Sequence, residues 1–267
     1  MNRIEFPGSG SSFYKGMTLE RYYNTVDTPS NSLEYFEAFH KPLIERVKQR
    51  FGSPVHVFDM ACGPADELKF IKDDPDVVIV ATDISSKILP VAKETLTRTA
   101  TSPNKSPLVF ASEAEFPPFK ENIAEAGIMV NAMAYDPDKM LETMYRALRP
   151  LGQCVVNFKI YSQLHSRNFK ALNGKESLRK FIVSTSSGSE TFDVMVRDFS
   201  GYNKPDGSPD LALRSVGEQL YFLSVEDIKR LIELIGFKKV NYTNYKPVND
   251  TSFSATHVFV LEKPSSY

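Results

Sequence analysis

The segment from Val57 to Glu67, VFDMACGPADE, places carboxylates and a tight turn where they could bind a ligand. An apolar strand reaches Asp59, a turn of small residues follows, and Gly63 lets the backbone approach a ligand closely. Asp66 and Glu67 come next, and they suit the first turn of a helix. Helix N-termini attract phosphates, and two carboxylates there would repel one. The pattern therefore argues against a pyrophosphate ligand, and a nicotinamide enzyme is only a runner-up.

The four histidines are the other side chains with obvious acid–base chemistry. His165 follows a predicted strand at the start of a polar segment, and it is the best-placed candidate for a general base. His56 lies within a predicted strand and is interpreted as a core or helix-facing residue. His40 and His257 are weaker candidates. No group of cysteines and histidines has the spacing of metal ligands, so we expect no metal.

Strands and helices alternate through the first 160 residues, and they must position these side chains. Apolar runs predict strands at VHVFDM, VVIVAT, PLVFAS, AEAGIMVNAM and CVVNFKI, with helical patterns between them. A helical pattern over residues 32–51 precedes them, and Pro42 predicts that this helix is kinked or divided. Two further strands, KKVNYTNY and ATHVFVLE, close the chain. The alternation predicts an α/β protein with a doubly wound parallel sheet.

Helix-capping residues mark two later helices. Asp136 and Pro137 predict an N-cap and first-turn pair for the helix DKMLETMYRAL. Ser224 and Asp227 predict a capping-box-like start for LSVEDIKRLIELIGF, and Gly236 predicts its end.

Composition changes between residues 161 and 220, where Ser, Gly, Asn and Asp become frequent. The segment is too long for a simple loop, so it is predicted to be an inserted cap of short helix and hairpin on the substrate side. We therefore expect N-terminal covering helices over residues 1–50, a Rossmann-like domain over 51–160 and 221–267, and the cap between its two parts.

Four short segments, in order and at matching spacings, resemble motifs of the class I S-adenosylmethionine-dependent methyltransferases. They are VFDMACGPA (57–65), VATDIS (80–85), SEAEFPPF (112–119) and ALRPLGQCVV (147–156). The resemblance covers roughly residues 50–160 and the helix–strand–strand tail from residue 224. It implies a Rossmann-like sheet of seven strands, mostly parallel with the last strand antiparallel, and S-adenosylmethionine as the cofactor.

This resemblance implies a role for each cofactor-site residue. Asp59 would organise the turn and help to hold the ammonium end of the cofactor, and Asp83 would accept both ribose hydroxyls. Glu113 would lie near the adenine amino group, with the Ala114 amide facing a ring nitrogen. The alternatives are a structural acid at 59, a helix N-cap at 83 and a solvated loop acid at 113. The implied set is Asp59, Ala61, Gly63, Asp83, Ile84, Glu113, Ala114, Asn131, Tyr22 and Tyr23.

The chain departs from the family pattern at three turn positions. Ala61 and Ala65 replace the flanking glycines of the first turn, and Leu151 replaces the first glycine before strand five, as a packing residue. Alanine at a positive φ would cost about 1 kcal/mol or more. Either the φ angles of the two alanines are ordinary, or the turn is distorted.

The resemblance places the methyl acceptor beside NAMAYDP, after strand four, and under the 161–220 cap. Asn131, Met133 and Tyr135 are the acceptor-side candidates, and Tyr135 joins His165 as a candidate catalytic residue. A base is needed only if the acceptor carries a proton at pH 7. The segment FYKGMTLERYYN is similar to the tyrosine-rich N-terminal helix of small-amine N-methyltransferases. Its tyrosines either close over the ligands or pack a covering helix; they are Tyr14, Tyr22 and Tyr23.

The composition of the chain indicates which classes of binding partner and which cellular compartment to expect. A net charge of −1 over 267 residues and the absence of a basic stripe argue against nucleic acid. No apolar run is long enough for a membrane span, and the N-terminus lacks a signal-peptide core. Cys62 and Cys154 lie in apolar surroundings, as expected for buried thiols in a cytoplasmic protein. We expect a monomer or homodimer.

These observations favour methyl transfer to a nitrogen or oxygen of a small molecule. One alternative is an RNA or protein methyltransferase, because the segment from VRDFSGYNKPDG to YFLSVEDIKRL faintly resembles a tRNA-methyltransferase tail. The other is a non-catalytic binding protein that kept the fold, which Ala61 and Ala65 suggest.

Overall fold

A computed structural model describes residues 33–97, 106–112, 119–130, 136–161, 175–199, 201, 207–209, 218–246 and 256–265. Within these residues, seven strands form one sheet in the order β3-β2-β1-β4-β5-β10-β9. Strands β1 to β5 are parallel, and β10 is antiparallel to both of its neighbours. The predicted seven-stranded Rossmann-like sheet is therefore confirmed. Its strands are β1 (Val55–Met60), β2 (Val77–Asp83), β3 (Leu108–Ala111), β4 (Ala124–Met129), β5 (Leu148–Phe158), β9 (Lys238–Tyr245) and β10 (Thr256–Glu262).

The first helical run lies against β1, β4 and β5. It consists of a short α-helical turn (Leu33–Tyr35), a π-helical segment (Phe36–His40) and helix α1 (Lys41–Phe51). Proline cannot donate a hydrogen bond to the preceding turn, and here Pro42 follows a widened turn in which the Lys41 amide donates to the Phe36 carbonyl. The predicted division of this helix is thus a π-helical segment just before Pro42.

Four shorter helices complete the described part of the fold. They are a 3₁₀ helix (Asp66–Phe70), α2 (Leu89–Thr95), α3 (Pro137–Ala147) and α4 (Val225–Ile235). Ser224 caps α4 by accepting from the Asp227 amide at 3.1 Å, and Gly236 ends it with a left-handed backbone, both as predicted. Asp136 holds the N-cap position of α3, but its side chain makes no capping hydrogen bond.

Side chains alternate across the strands and divide the interior into two layers. One layer faces the first helical run and α2, and it includes Val57, Ile79, Ile128 and Val155. The opposite layer lies under α3 and α4. Helix α3 comes close there, because a Cβ on Gly127 would lie 2.4 Å from the Met144 sulfur. The sheet is therefore buried on both faces, which is typical of parallel sheets.

The segment after β5 forms a second sheet. Strands β6 (Lys175–Thr185), β7 (Gly188–Asp198) and β8 (Glu218–Phe222) pair antiparallel in the order β6-β7-β8. The β6–β7 hairpin agrees with the predicted hairpin. The small sheet packs against α4 and joins the α3–α4 core layer through Phe181, Phe192 and Phe222.

One sequence-based interpretation is wrong in this part of the molecule, and another is wrong in part. The core alternative for His56 is wrong, because its side chain is 37% exposed and its Nδ1 lies 3.2 Å from a Glu125 carboxylate oxygen, whereas the helix-facing alternative stays a prediction. Leu151 is not a packing residue, because its side chain is 38% exposed. It lies at a surface turn, where its amide donates to the Lys263 carbonyl and its own carbonyl accepts from Arg50.

Candidate functional site

The turn after β1 is locked to the end of β2 by hydrogen bonds. The Gly63 amide donates to Asp83 Oδ2 at 2.9 Å, and the Cys62 amide donates to the Thr82 carbonyl at 2.9 Å. The parallel pairing of β1 with β2 brings these residues to the same sheet edge, where ligands of open α/β sheets bind. The Gly63 amide thus holds the Asp83 carboxylate at the edge of the sheet where ligands bind.

Asp83 has the geometry of a shared structural and binding group. Its Oδ1 accepts a hydrogen bond from the Ser85 amide at 2.8 Å, at the beginning of the turn that precedes α2. Burial raises the pKa of Asp83, and hydrogen bonds from the amides of Ser85, Gly63 and Ile84 partly offset this rise. Each carboxylate oxygen has two acceptor positions, so Asp83 can still accept hydrogen bonds from a ligand.

Three buried carboxylates lie together beneath this turn. The exposed fractions of Asp59, Glu67 and Asp83 are 1%, 4% and 8%. Burial raises the pKa of Asp59 well above its usual range, and the charges of Glu67 and Asp83 raise it further. Burial also raises the pKa of Glu67, to about 8. Buried acids without cations are costly, so this cluster favours a positively charged ligand.

Asp59 is the most isolated of the three acids. Among the described residues, neither of its carboxylate oxygens has a hydrogen-bond partner. The same part of the chain gives Asp59, Glu67 and Asp83 no ion pair with a lysine or arginine. Buried polar groups are normally satisfied, and an orphaned carboxylate at a ligand edge is therefore a candidate binding group.

Glu67 is the residue of this site that sequence reasoning assigned to an ordinary helix start. The predicted short helix is present, but it is a five-residue 3₁₀ helix, Asp66–Phe70, that buries Glu67. Asp66 is more exposed, as a first-turn acid should be. The sequence carried one signal for Glu67, namely that an acid adjoins Leu68, the apolar residue that anchors this helix in the core.

The two alanines of the turn both have left-handed backbones. The φ angle is 60° at Ala61 and 58° at Ala65. Of the two possibilities left by the sequence, ordinary φ angles are therefore excluded. The turn keeps the glycine-like conformation and accepts the cost of a Cβ, which is about 1–2 kcal/mol per residue.

Replacing Ala61 by glycine should therefore stabilise the protein. The expected gain in the free energy of unfolding is up to about 1 kcal/mol, because glycine's greater freedom in the unfolded chain offsets part of the relieved strain. Ala65→Gly should give no net gain, since Ala65 is fully buried and its methyl would be lost from the core. Urea denaturation measures both. A loss of stability in Ala61→Gly would show that the turn does not hold this strain.

The remaining histidines have structural surroundings. His40 is fully buried, neither of its ring nitrogens has a hydrogen-bond partner among the described residues, and burial lowers its pKa to about 3. His257 Nδ1 lies 2.7 Å from the Tyr242 hydroxyl, on the sheet between β9 and β10. Burial also lowers the pKa of His257, so both imidazoles favour the neutral form, and neither lies at the turn after β1.

The structure brings together only part of the predicted site. Asp59, Ala61, Gly63, Asp83 and Ile84 surround the β1 turn and the end of β2. The other predicted residues lie outside the described residues; they are Tyr14, Tyr22, Tyr23, Glu113, Ala114, Asn131, Met133, Tyr135 and His165.

Beyond the end of β5, a polar network joins the main sheet to the small one. The Tyr161 hydroxyl donates to Glu176, and the buried Arg197 side chain also bonds this carboxylate. The Glu176 hydrogen bond raises the pKa of Tyr161. Because β5 is parallel to β1, this network lies at the same edge of the sheet as the turn.

Comparison with known proteins finds a family profile that matches the part of the chain containing these features. The methyltransferase-domain family profile matches residues 58–156, which span the turn, Asp83 and most of β5. No curated protein matches the whole sequence significantly.

Solved structures share the fold at low sequence identity. Magnesium protoporphyrin IX methyltransferase from Synechocystis, with bound S-adenosylhomocysteine, has a TM-score of 0.58 and 10% identity and covers 95% of this chain and 97% of its own. The Burkholderia thailandensis 1,6-didemethyltoxoflavin-N1-methyltransferase, with bound 1,6-didemethyltoxoflavin and S-adenosylhomocysteine, has a TM-score of 0.55 and 11% identity. The match covers 99% of this chain and 92% of that protein. An S-adenosylmethionine-dependent methyltransferase from Clostridium acetobutylicum has a TM-score of 0.54 and 13% identity, and the match covers 91% of this chain and 99% of that protein.

Proposed function

We propose that this chain is a class I S-adenosylmethionine-dependent methyltransferase that transfers a methyl group to a nitrogen or oxygen of a small molecule. The observation that carries the proposal is the unpaired acidic cluster at the locked turn. S-adenosylmethionine carries a sulfonium and an ammonium and no phosphate. Its cationic groups would supply the charge that Asp59, Glu67 and Asp83 lack among the described residues.

Residues of this turn would hold the cofactor in a fixed place. The Asp83 carboxylate, already fixed by the Gly63 amide, would accept the ribose hydroxyls. The buried Asp59 carboxylate would accept from the ammonium group. Ile84 and the Ala61 backbone would lie beside the adenosine. Glu113, Ala114, Asn131, Tyr22 and Tyr23 complete the proposed cofactor site.

When bound, the cofactor supplies a methyl group on a sulfonium, which is a good leaving group. The chain's main task is therefore to hold the acceptor atom in line with that methyl group and to exclude water. We assign the acceptor side to Met133, Tyr135 and Tyr14, and to the small sheet after β5. The charged Tyr161–Glu176–Arg197 network at this end of the sheet supports a polar acceptor.

A methyl acceptor of RNA or protein is the second candidate. The small-molecule acceptor is favoured because the charge of the chain is balanced, with 32 basic and 33 acidic residues. The arginines of the small sheet are also paired, Arg179 with Glu218 and Arg197 with Glu176. Such pairs leave little free positive charge for phosphates. A non-catalytic binding protein with this fold is the third candidate.

Calorimetry followed by turnover separates these candidates. We expect S-adenosylmethionine and S-adenosylhomocysteine to bind the purified protein, and slow turnover to S-adenosylhomocysteine when libraries of amines and phenols are added. Binding without turnover on any acceptor would favour the non-catalytic protein. Tight tRNA binding that falls steeply with salt would favour the RNA methyltransferase.

His165 is our proposed base for a hydroxyl acceptor. If the acceptor is a phenol, His165→Ala should lower turnover by roughly 10²–10⁴-fold and remove a limb of the pH–rate profile near pH 6.5. Cofactor affinity should barely change. A loss below about threefold between pH 6 and pH 9 would exclude this role and would indicate a neutral amine as the acceptor.

We also propose a cytoplasmic monomer or homodimer. Cys62 and Cys154 are both free and buried, which suits a reducing compartment. Among the helices that the structure describes, none has the length and apolar character to cross a membrane.

A further inference from the structure

Glu67 does not belong to the implied cofactor set, although it lies among the groups that form it. Its side chain is buried, and the residues whose charges interact with it come from several elements. The carboxylate raises the pKa of Asp59 on β1 more than Asp83 does, and it raises the pKa of the Cys62 thiol in the turn. It therefore lies close enough to both Asp59 and Asp83 to share their electrostatic environment.

The groups that face Glu67 are mostly negative or neutral. Asp66 and Asp83 raise its pKa, whereas Lys69 and the Glu67 backbone amide lower it, and burial is the largest cause of the net rise. The first helical run contributes Tyr35, whose hydroxyl pKa is raised by burial and by the charges of Tyr245 and Glu67.

We propose that Glu67 is a third carboxylate of the cofactor site, which binds the α-ammonium end beside Asp59 and releases a proton when the cofactor binds. Two independent observations support this assignment. Asp59 is buried with both oxygens unpartnered among the described residues, so a donor is missing at this place. Glu67 is 4% exposed on the 3₁₀ helix that follows the turn, and burial there raises its pKa to about 8, so a cation can take the place of a proton. The inference rests on the cofactor part of the proposed function and not on the acceptor.

The test compares two ligands that differ at the ammonium end. S-adenosylhomocysteine carries the α-ammonium, whereas 5′-methylthioadenosine has the same adenosine and thioether without the amino-acid part. Glu67→Gln should weaken S-adenosylhomocysteine binding about tenfold or more, because a charge-assisted hydrogen bond is lost. It should leave methylthioadenosine binding within about twofold, which also shows that the variant is folded. Asp66→Asn, one residue earlier in the same helix, is the matched control and should bind both ligands like the wild type.

Proton release gives a second readout. Calorimetry of S-adenosylhomocysteine binding at pH 7, in phosphate and in Tris, should show that the wild type releases close to one proton more than Glu67→Gln, because the raised pKa of Asp59 can contribute release in both proteins. Equal losses for both ligands, an unchanged S-adenosylhomocysteine affinity, or equal proton release by the wild type and Glu67→Gln would overturn the inference while leaving the proposed function intact. Failure of the wild type to bind S-adenosylhomocysteine at all would overturn both.

Discussion

Asp83→Ala should weaken S-adenosylmethionine binding by about 2 kcal/mol or more, which is roughly thirtyfold. The variant loses the proposed charged acceptor for the ribose hydroxyls, and it also frees the Gly63 amide, which Asp83 Oδ2 fixes at 2.9 Å. The loss should therefore exceed that of a simple surface contact. Calorimetry measures the dissociation constant, and circular dichroism shows whether the fold remains.

Two variants separate the effects of charge and position. Asp83→Asn keeps one carbonyl oxygen, so its dissociation constant for S-adenosylmethionine should lie between those of the wild type and Asp83→Ala. Asp193→Ala removes an exposed acid of the small sheet, paired with Lys180, and should leave cofactor binding unchanged. An unchanged dissociation constant in Asp83→Ala would remove this residue from the cofactor site. A higher melting temperature of the wild type when a nicotinamide cofactor is added would instead support the alternative of a nicotinamide enzyme.

The sheet could be predicted because its strands carry a strong local signal. The runs VHVFDM and VVIVATD are largely apolar, and each carries an acid at or next to its last position, where the chain reaches the ligand edge. The turn could be located for the same reason, and the structure adds the hydrogen bond from the Gly63 amide to Asp83. The caps at Ser224 and Gly236 involve only neighbouring residues, so sequence was sufficient there too.

The burial of Glu67 could not be predicted from its apolar neighbour Leu68 alone, because it depends on how a 3₁₀ helix lies against the sheet. An acid in a first helical turn is normally exposed, and the pattern of DELKF gives no helical face over so few residues. The left-handed backbones of Ala61 and Ala65 accompany the hydrogen bond of the Cys62 amide to Thr82 on β2 and that of the Ala65 amide to the Cys62 carbonyl within the turn. Local sequence favours ordinary φ angles for alanine.

The small sheet was only partly predicted, because polar turns dominate the composition of residues 161–220. Its strands carry a period-two signal that was available in the sequence. Phe181 and Val183 on β6, and Phe192, Val194 and Val196 on β7, alternate with polar residues. These buried positions show that the hairpin has an apolar face, which covers the α3–α4 layer of the core.

The largest stability effect is expected at Phe222, the residue that joins this small sheet to the main one. Its ring is 1% exposed and lies within 6.3 Å of the ring centroids of Phe158 on β5 and Phe181 on β6, and 5.8 Å from Phe192 on β7. Phe222→Ala should lower the free energy of unfolding by about 3–5 kcal/mol, because the removed ring leaves a cavity between packed aromatic side chains.

Urea denaturation followed by circular dichroism tests this expectation. If the small sheet and the main sheet share one core, Phe222→Ala should shift a single unfolding transition to lower urea concentration. Leu178→Ala is the matched control on β6, since its side chain is 61% exposed and should change stability by less than about 0.5 kcal/mol. Two separate transitions, of which only one responds to Phe222→Ala, would show instead that the small sheet folds as an independent cap. The single transition is expected because the buried side chains of β6, β7 and β8 belong to the same hydrophobic cluster as those of β5, α3 and α4.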